Sequence, residues 1–140
     1  MNTYTSFAKK LETLLGDNRA VKLTVDGYMP LSIEQIGTSG EGHKLVALAH
    51  TGLQNGDVMF DPEMVFRFMD LDGQQLAEPI SFRNDYMGIH QEVYRYNDEG
   101  KATHMNTRLK AELKSFARMW FRNLKHQGFF SGQAVRQGLS

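Results

Sequence analysis

The side chains most able to do chemistry crowd into one stretch, His50-Thr-Gly-Leu-Gln-Asn-Gly-Asp-Val-Met-Phe-Asp-Pro-Glu63, which brings His50, Asp57, Asp61 and Glu63 close in sequence. Hard divalent cations bind through carboxylate oxygens. The cluster is therefore a candidate Mg²⁺ or Mn²⁺ site for a metal-dependent nuclease or phosphodiesterase. In detail the pattern departs from that chemistry. No acidic-x-Lys element follows at a suitable spacing, and the carboxylates miss the alternating positions of a calcium loop. Asp and Asn also favour turns, because their side chains hydrogen-bond nearby backbone amides, and that reading outweighs the metal one. Of the histidines at 43, 50, 90, 104 and 126, no two have the spacing of a helical zinc pair. There is no Gly-x-Ser-x-Gly elbow, no Walker-type loop and no dinucleotide-binding glycine loop. With no cysteine, thiolate nucleophiles, thiolate metal sites and disulfide scaffolds are excluded. No catalytic residue is assigned, no cofactor is implied, and the chain reads as a binding protein rather than an enzyme.

Charge supplies the second candidate site. The formal net charge is zero, but it divides along the chain. Residues 1–50 hold five basic and five acidic side chains, residues 51–100 hold three basic against ten acidic, and residues 101–140 hold eight basic against one acidic. Such asymmetry means either an internal electrostatic match or two surfaces with separate partners. Lys110, Lys114, Arg118 and Arg122 recur every four residues, with Lys125 nearby, so on a helix they form a nearly continuous basic stripe. That stripe is the expected partner-binding surface, for a host protein or a nucleic acid. Phe129-Phe130 follows as an apolar anchor that closes the core or contacts a partner. Oligomeric state is not legible in these features.

The elements that must position these residues are an N-terminal helix, a run of strands and a long C-terminal helix. Phe7, Leu11, Leu14 and Leu15 share one face of a helix over 5–15, ended by Gly16. Alternating patterns predict strands at 21–25, 31–36 and 44–50. After the tight-turn dipeptide Asn55-Gly56, strand pieces at 58–60 and 65–69 flank Asp61-Pro62, and the proline belongs at an edge or a bulge. Asp70-Leu-Asp-Gly73 is a turn, 80–82 is briefly extended, and 88–96 is a further strand. Asn106 caps a helix to about residue 126 that Gly128 ends, with Leu109, Leu113, Phe116, Ala117, Trp120, Phe121 and Leu124 as its apolar stripe. The fold class is α+β: an antiparallel meander of about five strands packed by the two terminal helices. Residues 1–130 are expected to form one domain and residues 131–140 a flexible tail. No apolar run approaches the roughly 20 residues of a bilayer span, the N-terminus lacks a signal-peptide pattern, and a cytoplasmic location without membrane association is expected.

Gln54-Asn-Gly-Asp-Val-Met-Phe-Asp-Pro-Glu-Met64, Phe66, Asn84-Asp-Tyr-Met-Gly88 and Gln91-Glu-Val-Tyr94 together resemble an uncharacterised domain family associated with phages, plasmids and integrative elements of bacteria. The resemblance spans roughly residues 20–96. It carries no functional residue across, and it implies a mobile-element origin. Small proteins of that origin work by binding host machinery, including defence systems, so an anti-defence (anti-CRISPR-like) inhibitor is one form the binding role would take.

Overall fold

The computed structural model describes residues 3–139. Among them lie two helices and nine strands: α1 (Thr3–Leu15), β1 (Ala20–Thr24), β2 (Leu31–Thr38), β3 (Lys44–Gln54), β4 (Asp57–Leu71), β5 (Gln74–Asn84), β6 (Ile89–Glu92), β7 (Tyr94–Tyr96), β8 (Ala102–Met105), α2 (Thr107–Gln127) and β9 (Val135–Leu139). Seven strands form one antiparallel sheet in the order β6-β5-β4-β3-β2-β1-β9, while β7 and β8 pair as a separate ribbon. The class is α+β and the sheet is a meander, because neighbours in sequence pair in space from β1 to β6.

Both helices contribute their apolar stripes to the same core as the inward strand residues Val21, Leu23, Leu31, Ile33, Val46, Leu48, Met64, Phe66 and Phe68. Phe7 of α1, Phe66 of β4 and Phe121 of α2 meet at its centre, with ring centroids 6.1, 5.4 and 5.9 Å apart in the three pairings. Tilted and edge-on rings at such distances add to the area they bury. Asn106 caps α2 as expected, its side chain accepting the Leu109 amide at 3.0 Å, and the Gly128 amide donates to the last carbonyls of the helix. The β3–β4 and β4–β5 hairpins close on Asn55-Gly56 and Asp72-Gly73, where both residues of each pair have positive φ. That is the backbone a two-residue hairpin needs, and Asn-Gly and Asp-Gly tolerate it best.

Among the described residues nine strands, seven of them in one sheet, stand where about five were expected, and the structure departs from the sequence reading in four further places. First, the two pieces around Asp61-Pro62 are one strand, β4, of 15 residues. Pro62 lies within it because the β3–β4 register shifts between Ala49 and Thr51 and the β4–β5 pairing begins only at Glu63, so the missing amide interrupts no ladder there. Second, β5 begins six residues before its expected start, at Gln74, across the weak strand formers Ala77, Glu78 and Pro79. A register shift beside Phe66 accommodates Pro79, and burial between neighbours outweighs propensity. Third, the strand expected over 88–96 divides at Val93, whose amide donates to Ile80 O at 2.8 Å and sends the following residues into the β7–β8 ribbon. Fourth, where residues 131–140 are expected to form a flexible tail, Val135–Leu139 pairs with β1 as an edge strand.

Candidate functional site

Each residue of the carboxylate cluster holds a separate structural place. Asp57 opposes Gln54 at the exposed hairpin end. Asp61 accepts a hydrogen bond from Asn84 Nδ2 at 2.7 Å. Glu63 opposes Arg83 on β5; burial raises its pKa, Arg83 opposes the rise, and Asp85 adds to it. His50 Nδ1 faces the carbonyls of Met29 and Pro30 at 3.2 and 3.4 Å, which fixes it as the protonated nitrogen, because a carbonyl can only accept. The imidazole also packs against Trp120 and Phe129, and burial lowers its pKa. Among the described residues no three His, Asp or Glu side chains are placed to hold a metal ion. The four residues of the candidate metal set, His50, Asp57, Asp61 and Glu63, are thus not gathered at one point: they serve an aromatic pocket, a turn, an inter-strand strap and a half-buried sheet position.

Nearby lies the strap that Asn84-Asp-Tyr-Met-Gly88 contributes. Asp85 accepts from the Phe60 amide at 2.8 Å and from Arg83 Nε at 2.7 Å, and its own amide donates to Phe60 O. The Asn84 side chain bridges Asp61 and the Met87 amide. The Tyr86 hydroxyl lies over Gly52 so closely that a Cβ there would stand 2.6 Å from it. The motif residues therefore clamp the end of the β4–β5 pairing to the long β3–β4 hairpin.

A second group was barely marked in sequence. Arg67 and Glu78 oppose each other across β4 and β5, both buried, with Nη2 2.8 Å from Oε1. The Arg67 guanidinium also donates to the Tyr94 hydroxyl at 3.0 Å and contacts Glu41 at 3.4 Å, while Tyr94 donates to the other Glu78 oxygen. Lys110 of α2 closes the chain, 3.5 Å from Glu78 Oε2. Desolvation, then the hydrogen bond to Glu78, push the Tyr94 phenol far above its ordinary range, so it stays a donor. The only cue in the sequence was a charged residue inside an apolar strand run, Val65-Phe-Arg-Phe-Met69. Beside this network the sheet and the β7–β8 ribbon enclose a cleft of about 320 Å³, reached by Glu63, His90, Glu92, Tyr94 and Tyr96.

The basic stripe of α2 divides along its length. Lys110 is drawn inward by Glu78, and Lys114 lies over the Tyr4 ring at 5.0 Å. Arg118 donates to Thr3 Oγ1 at 3.0 Å, and Arg122 and Lys125 are exposed. Among the described residues, Lys110 alone of the stripe pairs with a carboxylate of the acidic segment. Beyond the stripe, Lys125 shares a groove of about 310 Å³ with Ser6, Lys9, Lys10 and Thr13 of α1 and with Phe130, and no carboxylate lines it. Sequence reading missed Lys9 and Lys10, because which side of α1 borders α2 is decided by packing. Phe129 closes the core, whereas half-buried Phe130 borders the groove.

Fold and site together define a helix-backed antiparallel meander whose helical layer carries a cationic groove. The chain matches, over residues 2–130, the model of the family described as Domain of unknown function (DUF6908), and it belongs to that family. No curated protein and no solved structure gives a significant match to it. No helix among the described residues is long and apolar enough to cross a membrane.

Proposed function

We propose that this protein is a non-enzymatic binding protein that engages an anionic host macromolecule, protein or nucleic acid, through the helical layer. The observation that carries the reading is the fate of the basic stripe. If the basic and acidic segments matched internally, the helix cations would pair with carboxylates of residues 51–100, and Lys110 alone does so among the described residues. Arg122 and Lys125, with Lys9 on α1, remain exposed, and like charges held together without counter-charges lower stability unless a partner uses them. The resemblance to a family of phages, plasmids and integrative elements favours a mobile-element setting, with host machinery, defence systems included, as the partner's source.

Retention on a heparin column tests the reading. The double variant Arg122→Glu, Lys125→Glu, which reverses the exposed cations of α2, should elute at clearly lower salt than the wild type, with a thermal midpoint within a few degrees of it. Equal retention of both proteins, or wild-type flow-through at about 50 mM salt, would overturn it.

A further inference from the structure

The groove between α1 and α2 narrows the class of partner. It is bordered by three ammonium groups, two hydroxyls and one aromatic ring: Lys9, Lys10 and Lys125, Ser6 and Thr13, and Phe130. Ser6, Lys10 and Thr13 follow at i, i+4 and i+7, which sets them along one side of α1, and Lys125 faces them from α2. Lys10 Nζ donates to Ser6 Oγ at 2.6 Å, so one ammonium is held by a neutral partner that leaves its charge uncompensated. Among the described residues none of the three lysines is within ion-pair distance of a carboxylate. Arg122, one turn before Lys125 on α2, is exposed as well, although it does not line the groove.

Ammonium groups alone would suit any polyanion, and the aromatic ring decides among them. A phosphate chain with unpaired bases satisfies both halves of the groove, its phosphates on the lysines and a base on the face of Phe130. Pairing positive grooves with aromatic platforms is the general means of binding single strands without reading sequence. A run of carboxylates such as polyglutamate would use the lysines and leave the ring idle. A duplex has no free base to offer it, since its bases are stacked on one another.

We infer that the groove formed by Ser6, Lys9, Lys10, Thr13, Lys125 and Phe130 binds single-stranded nucleic acid, phosphates on the lysines and a base on Phe130. The inference rests on the proposed polyanion-binding role and narrows it to one ligand class.

The experiment is fluorescence anisotropy of the full chain with labelled oligothymidylate of about ten nucleotides, a duplex of equal length, polyglutamate and anionic phospholipid vesicles as separate probes. Oligothymidylate should bind tightest, with affinity falling log-linearly in salt at about −0.7 per phosphate engaged. The double variant Lys9→Glu, Lys10→Glu and the single variant Lys125→Glu should each weaken it about ten-fold or more. Phe130→Leu, which keeps an apolar side chain under the helix end, should weaken it several-fold while leaving the salt slope unchanged, as loss of stacking alone requires. If a charge reversal lowers the thermal midpoint, Lys→Gln at the same positions supplies the reading. Oligothymidylate affinity unchanged in the folded lysine variants overturns the inference, as does equal or tighter binding of the duplex, of polyglutamate or of the vesicles. Polyglutamate binding without oligothymidylate binding overturns the inference alone. Binding of none of the probes overturns the polyanion-binding role as well.

Discussion

His50 shows how burial converts one side chain into a pH-dependent element of stability. Its imidazole is enclosed by Trp120 and Phe129, with Nδ1–H directed at backbone carbonyls, and desolvation favours the neutral form. The folded-state pKa therefore lies below the unfolded value of about 6.5. Between those two values the unfolded chain binds more protons, so this contribution is complete above about pH 6.5 and is lost as pH falls through the folded pKa. For one proton the slope reaches at most about 1.4 kcal/mol per pH unit. His50→Asn keeps a donor near Nδ1 and does not titrate. Urea unfolding at pH 7 and pH 5 should show the wild type losing more stability than this variant, and equal losses would refute the assignment. Comparing the two proteins also cancels Glu63, whose raised pKa acts in the opposite direction, and Asp85, whose lowered pKa acts at more acid pH.

Among the elements, the long β3–β4 hairpin depends on its strap. Asn84 is buried and serves two groups, Asp61 and the Met87 amide, which no other side chain reaches by a described hydrogen bond. Asn84→Ala should cost about 1–2 kcal/mol, the usual loss for a part-buried hydrogen-bonding group left without its partner. Asn84→Asp should cost more at pH 7, because it sets a second carboxylate at hydrogen-bond distance from Asp61, and should recover towards pH 4 as one of the two takes a proton. Thermal midpoints measured at both pH values check this, and identical midpoints for Asn84→Asp at pH 7 and 4 would exclude the contact. Asp61 and Asn84-Asp-Tyr-Met-Gly88 are among the residues that carried the family resemblance, and of these Asp61 alone also stood in the candidate metal set. Asp61 and Asn84 are 23 positions apart, and only the return of β5 alongside β4 makes one the partner of the other.

Across the whole molecule, the final strand ties the end of the chain back to its beginning. β9 covers the β1 edge from Ala20 to Thr24, and Asn18 packs against Gly138 so closely that any Cβ there would stand 2.6 Å from its side chain. A bare strand edge offers a row of unpaired amides and carbonyls to a second chain. Ending the chain after Ala134 should lower the thermal midpoint and raise the apparent mass in size-exclusion chromatography with light scattering, relative to the full chain. An unchanged mass and midpoint would show that β9 contributes neither protection nor stability. The charge division also resolves at this level. Glu41, Arg67, Glu78 and Lys110 link as alternating charges from the β2–β3 loop through the sheet to α2, which draws one helix cation inward and leaves those nearer the C-terminal end of α2 on the surface.

By itself, the sequence determined what is local. The 3.6-residue and two-residue periods, the Asn106 and Gly128 caps and the Asn-Gly and Asp-Gly turns each act within a few residues, so both helices, most strands and the α+β class could be read directly. Tertiary structure alone decided what depends on partners remote in the chain. The weak strand formers of β5 became strand because sheet neighbours bury them, and Val135–Leu139 became strand because β1 offered an open edge. The Arg67–Glu78–Tyr94 network exists because three strands converge, and the lysine groove exists because α1 and α2 pack side by side over the sheet. Periodicity marks which side of each helix faces the core, but not which of its remaining sides will border the other helix, since that is set by how the two pack.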